Sequence, residues 1–437
     1  MQKPCVRRLK NQFIAWTNID KLTPGRLLIL AFVMVCWPVQ SQATQAYRSM
    51  LPDMLQRHPA VRAADQQRQA ASQEVEGARW QYFPTPSIGV ESSNQTSQFA
   101  DSKIRFVRLQ QPLWTGGRLT AQTDRAKAQL ELADATWREQ RHNLAIRWLE
   151  LWAESAAARS RVQAYAESEE LHLRYVRRVQ ARAQEGQIAR SEIQLSISRL
   201  TNVQAELELA RAQQQQAMNK LLQMWGRTWS ATDFPHLPDL RGSEMDTMHI
   251  HTGAVAQNHP VLQKSRAQIL LAQTEVDFAR ARLSPEVYAR AEISHGNISG
   301  DVQKAFIGLS TSLGGGLSNL TAIGSAQSRV EAQRQELEVR SKELSDVLTA
   351  DQINHLSQSQ RALQFHQSLE AAQAYLQSSE TQFDNGRRSW QELMNSAREK
   401  SQIRAQLTDA SAQAWLAAQR LRLNYQGLED YLARPAR

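Results

Sequence analysis

Two cysteines, Cys5 and Cys36, are all that 437 residues hold, and both lie within the first 43. An exported chain without those residues has no disulfide, so packing or association must hold it together. Proline and glycine are also sparse, at 13 and 18. Neither occurs from Thr120 to Glu185, between Gly117 and Gly186, nor from Ser325 to Asp384, between Gly324 and Gly386. Such runs predict two helical rods, the first roughly 100 Å long at about 1.5 Å per residue. Beyond the N-terminal region no apolar run reaches eighteen residues, which excludes a helical membrane span. There is no activated-serine motif, and Gly314-Gly315-Gly316 lacks the Lys-Ser or Lys-Thr of a phosphate loop. No enzyme and no cofactor are expected.

What is present is dominated by alanine, glutamine, leucine, arginine and glutamate, the balance of long helices and coiled coils. The N-terminus carries Arg7, Arg8, Lys10, Lys21 and Arg26, then the apolar run Leu27 to Trp37, then Ser41-Gln42-Ala43. That order predicts a secretory signal peptide over 1–43. Cys36 lacks the small residue expected just before a lipid-modified cysteine. Six Lys/Arg and one Asp lie in residues 1–43, so more than half of the formal charge of +9 belongs to the leader and a nucleic-acid partner loses its support.

The remaining chain is one text written twice. His58-Pro59-Ala60-Val61 returns as His259-Pro260-Val261-Leu262, Glu74-Val75 as Glu275-Val276, Ala78-Arg79 as Ala279-Arg280 and Leu119-Thr120-Ala121 as Leu320-Thr321-Ala322. A first repeat over 44–225 is expected to hold a helix, a β-hairpin (87–113), a long helix (120–185), a turn and a return helix (191–225). A connector, 226–251, follows. The second repeat, 252–434, holds a helix, a hairpin (287–313), a long helix (325–384), a turn and a return helix (390–432). Val287, Ala289, Ala291 and Ile293 alternate with Tyr288, Arg290 and Glu292, the two-residue period of a strand with unlike faces. A heptad line through Leu130, Trp137, Leu144, Leu151, Ala158, Tyr165, His172 and Val179 predicts the packed seam of the first rod. The second rod slips phase after Leu344, at Leu356, Leu363, Leu369 and Leu376, which predicts local unwinding or a change of partner.

If such a chain crosses a bilayer, it must do so as a closed β-barrel, because lipid satisfies no open strand edge. Four strands cannot close a membrane barrel when the smallest single-chain examples use about eight. The barrel would have to be shared between subunits.

Here the residues carry a resemblance. Gln110-Gln111-Pro112-Leu113-Trp114-Thr115-Gly116-Gly117-Arg118 resembles the strand-to-helix signature of TolC-like outer-membrane export channels, in particular Gln111, Pro112, Leu113, Trp114, Gly116, Gly117 and Arg118. Gly386-Arg387-Arg388-Ser389-Trp390-Gln391-Glu392-Leu393-Met394-Asn395 is similar to the second-rod turn of that family, especially of members serving type I secretion of large adhesins. The resemblance implies a mainly α fold with a small β part: a homotrimer whose long helices form a coiled-coil barrel and whose strands form a shared 12-stranded transmembrane β-barrel. It implies a cell outer membrane location with a periplasmic extension in a Gram-negative bacterium. The implied partners are outer-membrane lipid, a periplasmic adaptor (membrane fusion protein) and, through it, an inner-membrane ABC or proton-driven transporter. The implied function is a passive exit duct for type I secretion of a large protein such as an adhesin, with multidrug or metal efflux as the alternative. A periplasmic adaptor or a coiled-coil scaffold is the remote one.

The resemblance also implies roles for residues. Gly186, Gln187, Ile188, Gly386, Arg387 and Arg388 would form the periplasmic tip that docks on the adaptor. Glu192, Phe383, Arg388 and Glu392 would form the entrance gate. The plainer reading of the tip is a helical-hairpin turn whose glycines end the rods. Ser191 with Gln194, and Ser389 with Glu392, fit capping boxes. His249 and His251, with His236 and His259 nearby, are the one metal-like pattern; no cysteine accompanies them, and a solvated connector without metal is expected.

Overall fold

The computed structural model describes residues 46–92, 101–227, 235, 258–311 and 318–433. The leader, most of the connector with His236, His249 and His251, and the bend at Gly314 to Gly316 lie outside the described residues.

Proline and glycine set the boundaries. Helix α1 (Ala46–Arg57) gives way to α2 (Pro59–Trp80), where His58 is extended, its ring accepts the amide of Ala60, and Pro59 occupies the first turn. Proline lacks only an amide that would be unpaired there in any case. The second repeat copies this device: His259 accepts the amide of Val261 at the start of α5 (Pro260–Ala281). After α2 come β1 (Thr85–Ser92) and β2 (Lys103–Trp114), then α3 (Arg118–Gln184) and α4 (Ser191–Trp225). After α5 come β3 (Glu286–Gly296), β4 (Gly300–Ser310), α6 (Ser318–Asp384), α7 (Trp390–Gln426) and α8 (Leu428–Ala433).

The two rods, α3 and α6, have 67 residues each, roughly 100 Å of helix. They run through a single layer of four helices, with a shorter helix between them. In the half near the strands the order is α2, α3, α5, α6; in the far half it is α4, α3, α7, α6. Where the shorter helices meet, a waist is packed by Tyr47, Leu51, Trp148, Trp152, Leu221, Trp415, Leu423 and Tyr431. Some of its polar groups are tied inside: Tyr47 and Tyr431 both donate to the buried Gln419 amide oxygen, and the Trp148 indole donates to the Tyr47 carbonyl.

The second rod starts at Ser318 rather than Ser325 and runs through Gly324. A lone glycine inside a helix costs about 1 kcal/mol relative to alanine, and the buried Ala326 and Val330 just beyond it pack on Ala272 and Val276 of α5. The rod does not unwind where its heptads slip; it exchanges α5 for α7 as neighbour. The final helix is broken at Gly427, with φ of +78°, instead of continuing to residue 432. The seam of α3 also differs from expectation in its strand-side half. Leu130, Trp137 and Leu144 are half-buried, whereas Ala121, Ala128, Ala135 and His142 form the buried line. Small side chains let α2 and α5 approach, and Trp137 instead lies under the guanidiniums of Arg68 and Arg141.

The strands form one antiparallel sheet in the order β1-β2-β3-β4, so the two hairpins pair through β2 and β3. Opposed residues share a face. One face carries the rows Pro86, Leu109, Ala291, Ala305 and Ile88, Val107, Ile293, Gln303, followed towards the rods by Ala289 with Ile307 and Val287 with Leu309, and turns polar at the loop end, at Arg105, His295 and Asp301. The other carries Thr85, Gln110, Arg290, Phe306 and Ser87, Arg108, Glu292, Lys304. The apolar face is open in the single chain: Ile88 is 83% exposed and Ile307 72%. At the end far from the rods the hairpins clasp each other, because Asn297 accepts the amides of Ser102 and Lys103 while Asp101 accepts those of Ile298 and Ser299.

The waist also contains a proton-sensitive pair. His142 and His259 meet edge to face at 4.8 Å, and both Nε2 atoms lie within hydrogen-bond distance of Asn424 Oδ1, at 2.8 and 3.3 Å. Burial first, then the neighbouring His259, lowers the pKa of His142 to about 4, and its Nδ1 has no partner. Burial lowers His259 as well. The unfolded chain binds more protons below pH 6.5, so the stability present above that value is lost as pH falls towards about 4, by about 3 kcal/mol for His142 alone. Thermal melts followed by circular dichroism should show a lower midpoint at about pH 5 than at about pH 7.5, with His142→Gln removing most of the difference.

Candidate functional site

Three places hold the residues that the sequence singles out: the bend from β2 into α3, the double turn at the far end of the rods, and the polar face of the sheet.

At the bend, the pairing of β2 with β3 shifts register between Pro112 and Trp114, because proline has no amide to give the ladder. Gly116 and Gly117 follow with φ of +57° and +87°, conformations open to glycine, and α3 begins at Arg118. A Cβ on Gly116 would lie 2.0 Å from Ser284 Cβ, so the first repeat touches the second here without room for a methyl group. The surrounding side chains fasten the same joint. Gln111 donates to the Tyr82 carbonyl at 2.9 Å, and Arg118 pairs with Glu286 at 2.7 Å. Leu113 and Trp114 stand more than half exposed, as do Trp80 and Phe83 at and just beyond the end of α2.

At the other end, Gly186 and Gly386 stop the rods with φ of +75° and +69°. Gln187 N–H donates to the Arg182 carbonyl and Arg387 N–H to that of Gln382, both at 2.9 Å, the six-to-one bond that closes a glycine-terminated helix. Gly186, Gln187, Gly386 and Arg387 are exposed, while Ile188 folds back on the tip core with Ile193 and Leu200. The capping-box expectation holds in part. Ser389 accepts the amide of Glu392, but α4 starts without a side-chain cap, and Glu392 turns to Arg388 rather than to the backbone.

Arg388 is the hub. Its Nε donates to Glu392 at 2.7 Å, and its terminal nitrogens reach the Tyr375 hydroxyl and Ser379, so one guanidinium staples α6 to the start of α7. Glu192 accepts from the Trp390 indole at 2.7 Å and from Gln391, which ties α4 to α7. A third tie joins the rods themselves: Arg178 pairs with Asp384, Arg182 reaches the Asp384 carbonyl, and Tyr175 donates to Glu380 at 2.6 Å. Burial and the Glu380 carboxylate push the Tyr175 hydroxyl pKa up. Phe383 does not stand free at an opening. It is 2% exposed, packed among Leu376, Trp390 and Leu393, with the Arg182 guanidinium 4.0 Å from its ring centre. Tyr375, Ser379, Arg178 and Arg182 escaped the sequence reading. The first two lie four residues apart on α6, 13 and 9 residues before Arg388, and meet it only because the arginine side chain folds back along the rod.

Of the connector histidines only His259 is described, and it caps α5. No cluster able to hold a metal ion occurs among the described residues.

Residues 50–227 match the family model described as outer membrane efflux protein. No curated protein matches the chain. Among solved structures it is similar to a membrane protein from Pseudomonas aeruginosa, with 16% identity over 87% of this chain and 90% of that one and a TM-score of 0.76. It is also similar to the outer membrane protein VceC from Vibrio cholerae, with 14% identity, 90% and 99% coverage and a TM-score of 0.74. The CmeC outer membrane channel of Campylobacter jejuni gives 10% identity, 89% and 85% coverage and a TM-score of 0.73. A glycine-hinged bend from strand to rod, repeated rods of equal length and a four-stranded open sheet thus accompany these matches: residues 50–227 are similar to the outer membrane efflux protein family, and the whole chain shares the fold of these outer membrane proteins.

Proposed function

We propose that three copies of this chain form the outer-membrane exit duct of a tripartite export system, passive in itself and opened at its periplasmic tip by an adaptor and an inner-membrane transporter. The observation that carries this is the sheet. Its edge strands β1 and β4 each have one side without a partner strand among the described residues, and its apolar face is exposed, while the same strands lead into rods far longer than any compact core needs. Joining β4 of one copy to β1 of the next satisfies both edges and turns the apolar rows towards lipid. Unheated and heated gel samples of an outer-membrane fraction test this: a heat-modifiable trimer supports it, and a water-soluble monomer overturns it.

The cargo we propose is a large secreted polypeptide such as an adhesin, on the likeness of the Gly386 to Asn395 turn to type I secretion members. Efflux of small molecules is the second reading, favoured by the description of the matched family model. Deleting the gene should abolish surface display of one large polypeptide and leave dye accumulation unchanged; the reverse pattern assigns the chain to efflux.

In this reading the tip residues Gly186, Gln187, Ile188, Gly386, Arg387 and Arg388 form the docking surface. Arg388 with Glu392, and Glu192 with Trp390, form the latch that keeps each helical hairpin drawn in, with Phe383 as the packed base beneath. Replacing Arg388 and Glu392 together by alanine is expected to raise single-channel conductance in planar bilayers several-fold. Unchanged conductance would remove them from the latch.

A further inference from the structure

The charges on the polar face of the sheet are unbalanced. Arg108 is neutralised across the strand by Glu292 at 2.7 Å. Arg290, on the neighbouring row, is not: its guanidinium donates twice to the uncharged Gln110 oxygen and lies 4.9 and 5.3 Å from the ring centres of Tyr288 and Phe306. Lys304 stands exposed in the row of Arg108 and Glu292, with no carboxylate at ion-pair distance among the described residues. The remaining carboxylates of this face lie at its two ends. Glu286 is paired with Arg118 at the bend, and Glu91 sits next to the hairpin loop. The middle rows therefore carry two uncompensated cations per chain.

The opposite face is the apolar one, so closure of the barrel turns these cations inward. Threefold repetition then makes rings of them at one depth, and rings of charged side chains set the preference of a pore for counter-ions. The aromatic flanks of Arg290 hold its guanidinium in place without cancelling its charge, since a ring face attracts a cation but carries no net charge.

We propose that the barrel lumen is an anion-preferring filter and that the cargo suited to it is an acidic, extended polypeptide. Arg290 and Lys304 are the residues that determine this preference. The proposal rests on the duct reading above and narrows its substrate class. An anionic chain gains a favourable potential as it enters the outer segment, whereas a basic chain meets repulsion there.

The test is reversal potential of the purified trimer in planar bilayers under a potassium chloride gradient. The native channel should pass chloride in preference to potassium. Arg290→Gln with Lys304→Gln should lower the chloride-to-potassium permeability ratio on the order of threefold, and Arg290→Lys should leave it unchanged. Lys304→Gln alone, at an exposed position, keeps the test open if the double variant fails to assemble. A short poly-glutamate peptide should block the native current and poly-lysine should not. A channel that forms but prefers potassium, a ratio that the substitutions do not move, or equal block by the two peptides overturns the filter. Absence of any channel overturns the duct reading instead.

Discussion

Replacing Gly116 by alanine is expected to remove the assembled protein from the outer membrane. Two independent costs fall on one atom. An L-residue held at a left-handed φ of +57° loses about 1–2 kcal/mol. The added Cβ also lies 2.0 Å from Ser284 Cβ and must push apart the bend after β2 and the turn before β3. Overpacking of this kind costs typically 1–3 kcal/mol and more where the backbone cannot move. Both segments are anchored here, by Gln111 on Tyr82 and by Arg118 on Glu286. Trimer yield on unheated gels measures the loss. Ser284→Gly added to Gly116→Ala relieves the contact and leaves the dihedral strain, so partial recovery is expected. Full assembly of the single variant would mean that this joint tolerates a methyl group and that its closeness is not a constraint.

Val107→Arg is expected to have an effect of similar size, whereas Gln110→Arg, three residues further along the same strand, should cost only the Arg290 hydrogen bonds and a like-charge contact across the strand and should still assemble. Val107 shares its face with Ile88 and Ile293, and Gln110 shares the other with Arg290. An arginine pointing into the hydrocarbon middle costs about 2–4 kcal/mol per side chain, falling towards zero near the interfaces. In the proposed trimer that cost falls on every copy. In a lumen wetted by water the same side chain costs little. Folding into lipid vesicles, followed by gel mobility and protease protection, separates the two outcomes. If Gln110→Arg blocked insertion while Val107→Arg did not, the two faces would have to be exchanged, and the cationic filter would face lipid.

The large elements were legible because breaker residues are rare. With 13 prolines and 18 glycines in 437 residues, each one marks a boundary, and the offset between His58-Pro59 and His259-Pro260 shows that the boundaries come in pairs. The hairpins were legible because their two faces differ in polarity. The seam of the first rod was misread in its strand-side half. Hydropathy ranks Leu130 and Trp137 above Ala128 and Ala135, but a helix flanked on both sides in a single layer packs closest where its side chains are smallest. Gly324 was misread for a related reason, since a glycine stops a helix only when nothing beyond it has a surface to bury. The contact between Gly116 and Ser284 and the hold of Arg182 on Phe383 join segments distant in the chain, and no local pattern announces them. At the tip, the turn glycines and Arg388 were readable from the motif, whereas Tyr375 and Ser379 are met only by an arginine side chain folded back along α6, which no spacing rule supplies.

The equality of the two rods has an evolutionary corollary. One inserted helical turn in α3 alone would push its loop about 5.4 Å beyond that of α6, and Glu192 would slide away from Trp390 by the same amount. Any change in the length of the rods must therefore arise twice, once in each half of the gene. On the duct reading, a periplasm of different width would select for matched insertions, never for single ones.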